Sequence, residues 1–97
     1  MTKAGLDPRK LEDAASKLRA MAHPMRIAII GLLESNEQMN VTQIYETLRI
    51  EQASASHHLN ILKNKGVLDS RRSGKNTFYF LKHEALSQMI ECLNRCH

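Results

Sequence analysis

The chain has 97 residues, 42% of them hydrophobic, with no Trp, only two cysteines and a formal net charge of +4. Its length suits a single domain, 1–97, near the lower end of what folds on one core, where pairing commonly adds stability. No apolar run approaches the roughly 18 residues that span a membrane, the charged start MTKAGLDPRKLEDAASK lacks a secretory core, and two cysteines cannot staple a secreted scaffold, so a cytoplasmic protein is expected.

Asp7 followed by Pro8 predicts an N-cap and a first-turn proline. The helix they open has an apolar stripe of Leu11, Ala14, Ala15, Leu18 and Ala22. His23-Pro24 breaks it and starts another, PMRIAIIGLLES. That segment is apolar on most sides through Ile27, Ile29, Ile30, Leu32 and Leu33, which suits a central helix. SNEQMN reads as a loop with room for a very short strand near Met39. Asn40 with Gln43 forms a capping-box pattern for a third helix, VTQIYETL. RIEQA is then a tight connection into a fourth helix, QASASHHLNILKNKG, closed by Gly66. Beyond it, VLDSRR, a turn SGKN and TFYFLK make a hairpin, with Val67, Leu68, Phe78 and Phe80 as apolar anchorage. HEALSQMIECLNRCH, with Leu86, Met89, Ile90 and Leu93 on one face, predicts a fifth helix. The expected fold is mainly α, five helices plus a two-stranded hairpin.

The positive charge is concentrated. Residues 52–83 carry six bases (Lys63, Lys65, Arg71, Arg72, Lys75, Lys82) against Asp69 alone, and no acid occurs from Gln52 through Leu68. Such a segment is the footprint expected for a phosphate backbone. Two short helices joined closely, the second basic, suggest a helix-turn-helix. On a helical wheel Ala55, Leu59 and Leu62 share the side that must pack inward. Ala53, His57, Asn60 and Asn64 fall opposite, with Ser56 beside them and Gln52 at the N-terminal end. This small, polar, carboxylate-free set is what a helix entering a major groove needs. Lys63 adds a positive charge to the same helix. Arg71, Arg72 and Lys75 crowd the hairpin around Ser73 and Gly74, where a basic tip can reach adjacent backbone or a minor groove. The expected partner is double-stranded DNA.

LRAMAHPMRIAIIGLLES, QASASHHLNILKNKGVLDSRRSGKNTFYFL and the closing helix together resemble the ArsR-type winged-helix repressors, from about Leu11 to Leu93. The most specific part is Ser56-His57-His58-Leu59, followed by Leu62 and Gly66. The resemblance implies a homodimer joined by its first and last helices, each winged helix-turn-helix reading half of a palindromic operator and repressing transcription. By position, Gln52, Ala53, Ser56 and His57 match the family's base-facing end, and Arg71, Arg72 and Lys75 its wing. Glu51 departs from the Ser or Thr common at that helix start and places an acid near phosphates.

Many such relatives release DNA on binding metal through cysteines in the third helix or Asp and His in the last. VTQIYETL has no cysteine, and the last helix lacks the usual ligand pattern. Cys92 and Cys96, at i and i+4, share a face. With His97 they would suit zinc or another thiophilic metal, or could oxidise between subunits. The plainer reading has Cys92 packing as a small hydrophobe and Cys96 fraying. No other cofactor is indicated. His23 is expected to be structural and His58 to be a partly buried hydrogen-bonding residue. There is no glycine-rich phosphate loop, trusted Ser/His/Asp order or paired carboxylate set, so an enzyme is not expected. The rival is a winged-helix module that binds protein in place of DNA, for which only Ile61 offers an apolar anchor on the fourth helix.

Overall fold

In the computed structural model, which describes residues 7–82, the chain runs as α1 (Pro8–Met21), α2 (Pro24–Ser35), β1 (Met39–Asn40), α3 (Val41–Leu48), α4 (Gln52–Asn64), β2 (Leu68–Ser73) and β3 (Asn76–Leu81). The fifth helix expected over 83–97, and with it Cys92, Cys96 and His97, lies outside the described residues. Four helices and a small antiparallel sheet are therefore what the described part contains.

Local chemistry sets most of the boundaries. The Asp7 carboxylate accepts from the Arg9 N–H at 2.9 Å, with Pro8 in the first turn of α1. His23 caps α2, its Nδ1 accepting from the Met25 N–H at 3.1 Å. At α3 the capping box is complete: Asn40 Oδ1 accepts from the Gln43 N–H at 2.8 Å, and Gln43 Oε1 accepts from the Asn40 N–H at 2.9 Å. Two helices end alike. After α3 the Ile50 N–H donates to the Tyr45 carbonyl and the Arg49 N–H to that of Glu46. After α4 the Val67 N–H donates to the Leu62 carbonyl and the Gly66 N–H to that of Lys63. Both are Schellman closures, which need a left-handed residue. Gly66 supplies one at φ 80° without strain, whereas Arg49 adopts φ 57° despite its Cβ.

The sheet has three strands, in the order β1-β3-β2, rather than two. The short strand near Met39 forms, with Met39 opposite Tyr79 and Asn40 opposite Phe78. Residues Ser73 and Asn76 pair with each other, so the turn is only Gly74-Lys75, tighter than the four residues expected. Gly74 opens it at φ 62°, as the first central position of a two-residue hairpin turn favours.

One core lies between the helices and the inner face of the sheet: Ile29, Ile30, Leu33, Met39, Ile44, Leu59, Leu62, Val67, Leu68 and Leu81, with Tyr79 packed against it. One expectation needs correcting. The hairpin is anchored by Tyr79 and Leu81 together with Val67 and Leu68. Phe78 and Phe80 alternate onto the outer face and are only half-buried. The α1 stripe is not closed inside the protomer: Ala14 and Ala15 are half-buried and Ala22 is exposed, while Leu11 is 50% and Leu18 43% exposed. In α2, Ile27 also faces outward, at 59%.

Candidate nucleic-acid interface

Helix α4 is fixed from below by Ala55, Leu59 and Leu62, each fully buried. Those three positions define its inner side, and every other residue is sorted by its rotation from them. Ala53, His57, Asn60 and Asn64 point away from the core and are exposed, as is Gln52 at the start. Ser56 and Lys63, seven residues apart, share the flank that faces the hairpin. Ser56 is half-buried there, and Lys63 Nζ donates to the Ser70 hydroxyl at 2.8 Å. His58 and Lys65 share the opposite flank. Lys65 Nζ donates to the Ser16 hydroxyl of α1 at 3.0 Å, and His58 Nδ1 accepts from Arg26 Nε of α2 at 3.1 Å. The helix is thus braced on both sides while its outward row stays free. Glu51 occupies the N-cap position without a side-chain capping bond, which leaves donors of the first turn available to an anion. Ser54, also exposed in that turn, was not among the expected contacts; on the wheel it lies between the outward row and the His58 flank.

The strands divide the three bases expected to act together at the wing. Register puts Leu68, Ser70 and Arg72 on the face toward α4, and Asp69, Arg71 and Ser73 on the face away from it. Arg72 Nε donates to the Gly74 carbonyl at 3.4 Å, curling back along the tip, where Lys75 is exposed. Arg71 instead reaches over the outer face to donate to Gln38 Oε1 at 2.9 Å. There, Arg71, Gln38, Glu37 and Phe80 line an open depression of about 230 Å³.

Electrostatically, the ion pairs among the described residues are confined to α1: Lys17 with Asp13 at 3.7 Å and Arg19 with Glu12 at 3.3 Å. The bases of α4 and the hairpin are held differently. Lys63, Lys65, Arg71 and Arg72 all donate to neutral oxygens, so their placement is defined without their charge being cancelled. That arrangement projects a positive field beside a polar, hydrogen-bonding helix face.

A small imidazole cluster sits at the α1–α2 junction. The His23 and His58 rings lie 4.7 Å apart between centroids, and those of His57 and His58 5.7 Å. Burial pushes the His58 pKa below its ordinary value, and the neighbouring His23, Arg26 and His57 lower it further. Among the described residues no group of three or more His, Cys, Asp or Glu could hold a metal ion, and no helix is long and apolar enough to cross a membrane.

Comparison with known proteins agrees with this geometry. Residues 21–71 match a family described as a helix-turn-helix domain. The transcriptional repressor PagR of Bacillus anthracis is 38% identical over 87% of this chain and 84% of its own. Its crystal structure superposes with a TM-score of 0.79, at 36% identity over 90% of this chain and 99% of that one. The repressor SmtB of Mycobacterium tuberculosis is 38% identical over 86% of this chain, which spans 62% of that relative's length. A homodimeric winged helix-turn-helix DNA-binding domain from Mycobacterium bovis, a possible ArsR-family transcriptional regulator, gives a TM-score of 0.78 at 26% identity, covering 97% of this chain and 89% of that one. The chain belongs to the ArsR/SmtB family of winged helix-turn-helix transcriptional regulators.

Proposed function

We propose that the protein is a dimeric transcriptional repressor that reads a palindromic operator with the outward row of α4 and grips the flanking backbone with the hairpin. The observation that carries this reading is the pairing of an exposed, carboxylate-free helix face with bases held by neutral acceptors. In this role Gln52, Ala53, Ser56, His57 and Asn60 approach base edges in the major groove, where Gln and Asn can pair with adenine and Ala leaves room to approach. Lys63, Arg71, Arg72 and Lys75 contact phosphates and set the register.

The dimer follows from α1. Among the described residues, Leu11, Leu18 and, on α2, Ile27 are the large hydrophobic residues that remain exposed. Burying them against a second copy removes that apolar surface from water and brings two reading heads onto one duplex. The Mycobacterium bovis neighbour is itself a homodimer. A protein-binding role for α4 has little support, because Ile61 is half-buried and no large apolar residue of that helix is exposed.

The test is fluorescence anisotropy on the DNA upstream of the protein's own coding sequence and on a scrambled duplex, at about 50 and 200 mM salt. Preference for the upstream duplex, with a steep loss of affinity at the higher salt, is expected. Equal weak binding to both duplexes, followed by failure of a random-duplex selection to enrich any site, would reject the reading.

A further inference from the structure

Arg26 is tied at both ends. Its Nε donates to His58 Nδ1 on the recognition helix at 3.1 Å, and its Nη1 donates to the Ala20 carbonyl at 3.0 Å. Ala20 is the buried residue of the last turn of α1, where backbone carbonyls lack intrahelical partners. One guanidinium therefore joins the end of α1, the start of α2 and the flank of α4. His23, already committed as the α2 N-cap through its Nδ1, sets its ring against that of His58, tilted by 51° with the centroids 4.7 Å apart. His57, the preceding residue of α4, lies in the outward row.

The Arg26–His58 bond has a protonation requirement. An imidazole accepts at Nδ1 only when that nitrogen carries no proton, so the bonded His58 is the neutral ring with its proton on Nε2. Protonation would turn the acceptor into a donor and set a cation against a guanidinium. Among the described residues, the charged and titratable neighbours that act on His58 are His23 at the α2 N-cap, Arg26 of α2 and His57 of α4, with no carboxylate among them. Among the described residues, nothing at the junction compensates a positive imidazole.

We propose that Arg26 and His58 are positioning residues that set the seat of α4 against α1 and α2, and that protonation of His58 unlocks the recognition helix and weakens specific DNA binding. The proposal rests on α4 being the DNA-reading helix. Positive charge gained on the outward row of α4 would lie beside phosphates and work in the opposite direction. The two effects are separated by replacing His58 with a residue whose acceptor does not titrate.

The experiment compares wild type, His58→Asn and Arg26→Met on the selected duplex and its scrambled control between about pH 7.5 and 5.5. Asn offers an oxygen near the place of Nδ1 at every pH, and Met keeps the aliphatic stem of Arg26 without its donors. At the higher pH, His58→Asn is expected to bind within a few-fold of wild type and Arg26→Met roughly tenfold more weakly, the scale of one hydrogen bond to a charged group. On acidification the wild type should lose roughly tenfold relative to His58→Asn. Imidazole nitrogen spectra should show His58 as the Nε2–H tautomer, titrating below the ordinary histidine value. A pH-independent ratio, or the Nδ1–H tautomer at His58, overturns the positioning role alone. Absence of sequence preference in the wild type at the higher pH would instead remove the DNA reading and this proposal with it.

Discussion

Helices α1 and α4 have similar length and opposite fates. The apolar side of α4 is finished inside the protomer, with Ala55, Leu59 and Leu62 fully buried, and what it shows outward is polar. The apolar side of α1 is unfinished: Ala20 alone is buried, and Leu11 and Leu18 remain open. One helix presents a surface for a charged, hydrated partner and the other a surface for an apolar one. In the proposed function the two tasks fall to two helices, reading to α4 and pairing to α1, and Arg26 bridges them.

The largest effect should come from the finished face. Leu59→Ala is expected to lower unfolding stability by about 2–5 kcal/mol, as truncation of a buried leucine does, measurable by urea denaturation. A cost below about 1 kcal/mol would show that α4 is not seated as described. On the outward row, Asn60→Ala should leave the fold intact and remove about 1–3 kcal/mol of discrimination between the preferred and scrambled duplexes. Unchanged preference would move base reading elsewhere. For the hairpin, Arg72→Ala should weaken binding on every sequence and reduce the salt slope by about 1. Arg71→Ala should do less, since its side chain is directed to Gln38 on the face away from α4. The reverse order would mean that DNA uses the outer face of the sheet. Least disturbing to the protomer is Leu11→Glu with Leu18→Glu. These changes should yield a monomer in sedimentation with the helical signal preserved, whereas an intact dimer would place the interface away from α1.

Much of this was legible from residues close in sequence. Asp7-Pro8, the Asn40–Gln43 pair and Gly66 each mark an end through bonds spanning a few residues, and each forms as its chemistry requires. The buried and outward rows of α4 follow from helical period alone. What escaped depends on distant partners or ambiguous patterning. Phe78, Tyr79 and Phe80 put aromatics on both faces of β3, so alternation could not say which face is inner. The amphipathic pattern of α1 states that a side is apolar without saying what covers it. Arg49 closes α3 in a conformation usually given to glycine, so composition offers no turn signal there. Arg26 and His58 lie 32 positions apart, and their bond exists only because α2 and α4 pack together.

The most direct test of the central claim is residue-resolved. Amide shifts of the isotopically labelled protein would be followed while the selected duplex is added, with the scrambled duplex as control. The largest specific changes are expected at Gln52, Ala53, Ser56, His57 and Asn60, with Arg72 and Lys75 moving on both duplexes and Leu11 and Leu18 on neither. Specific changes concentrated on α1 or on the outer face of β3, with the outward row of α4 silent, would contradict the account.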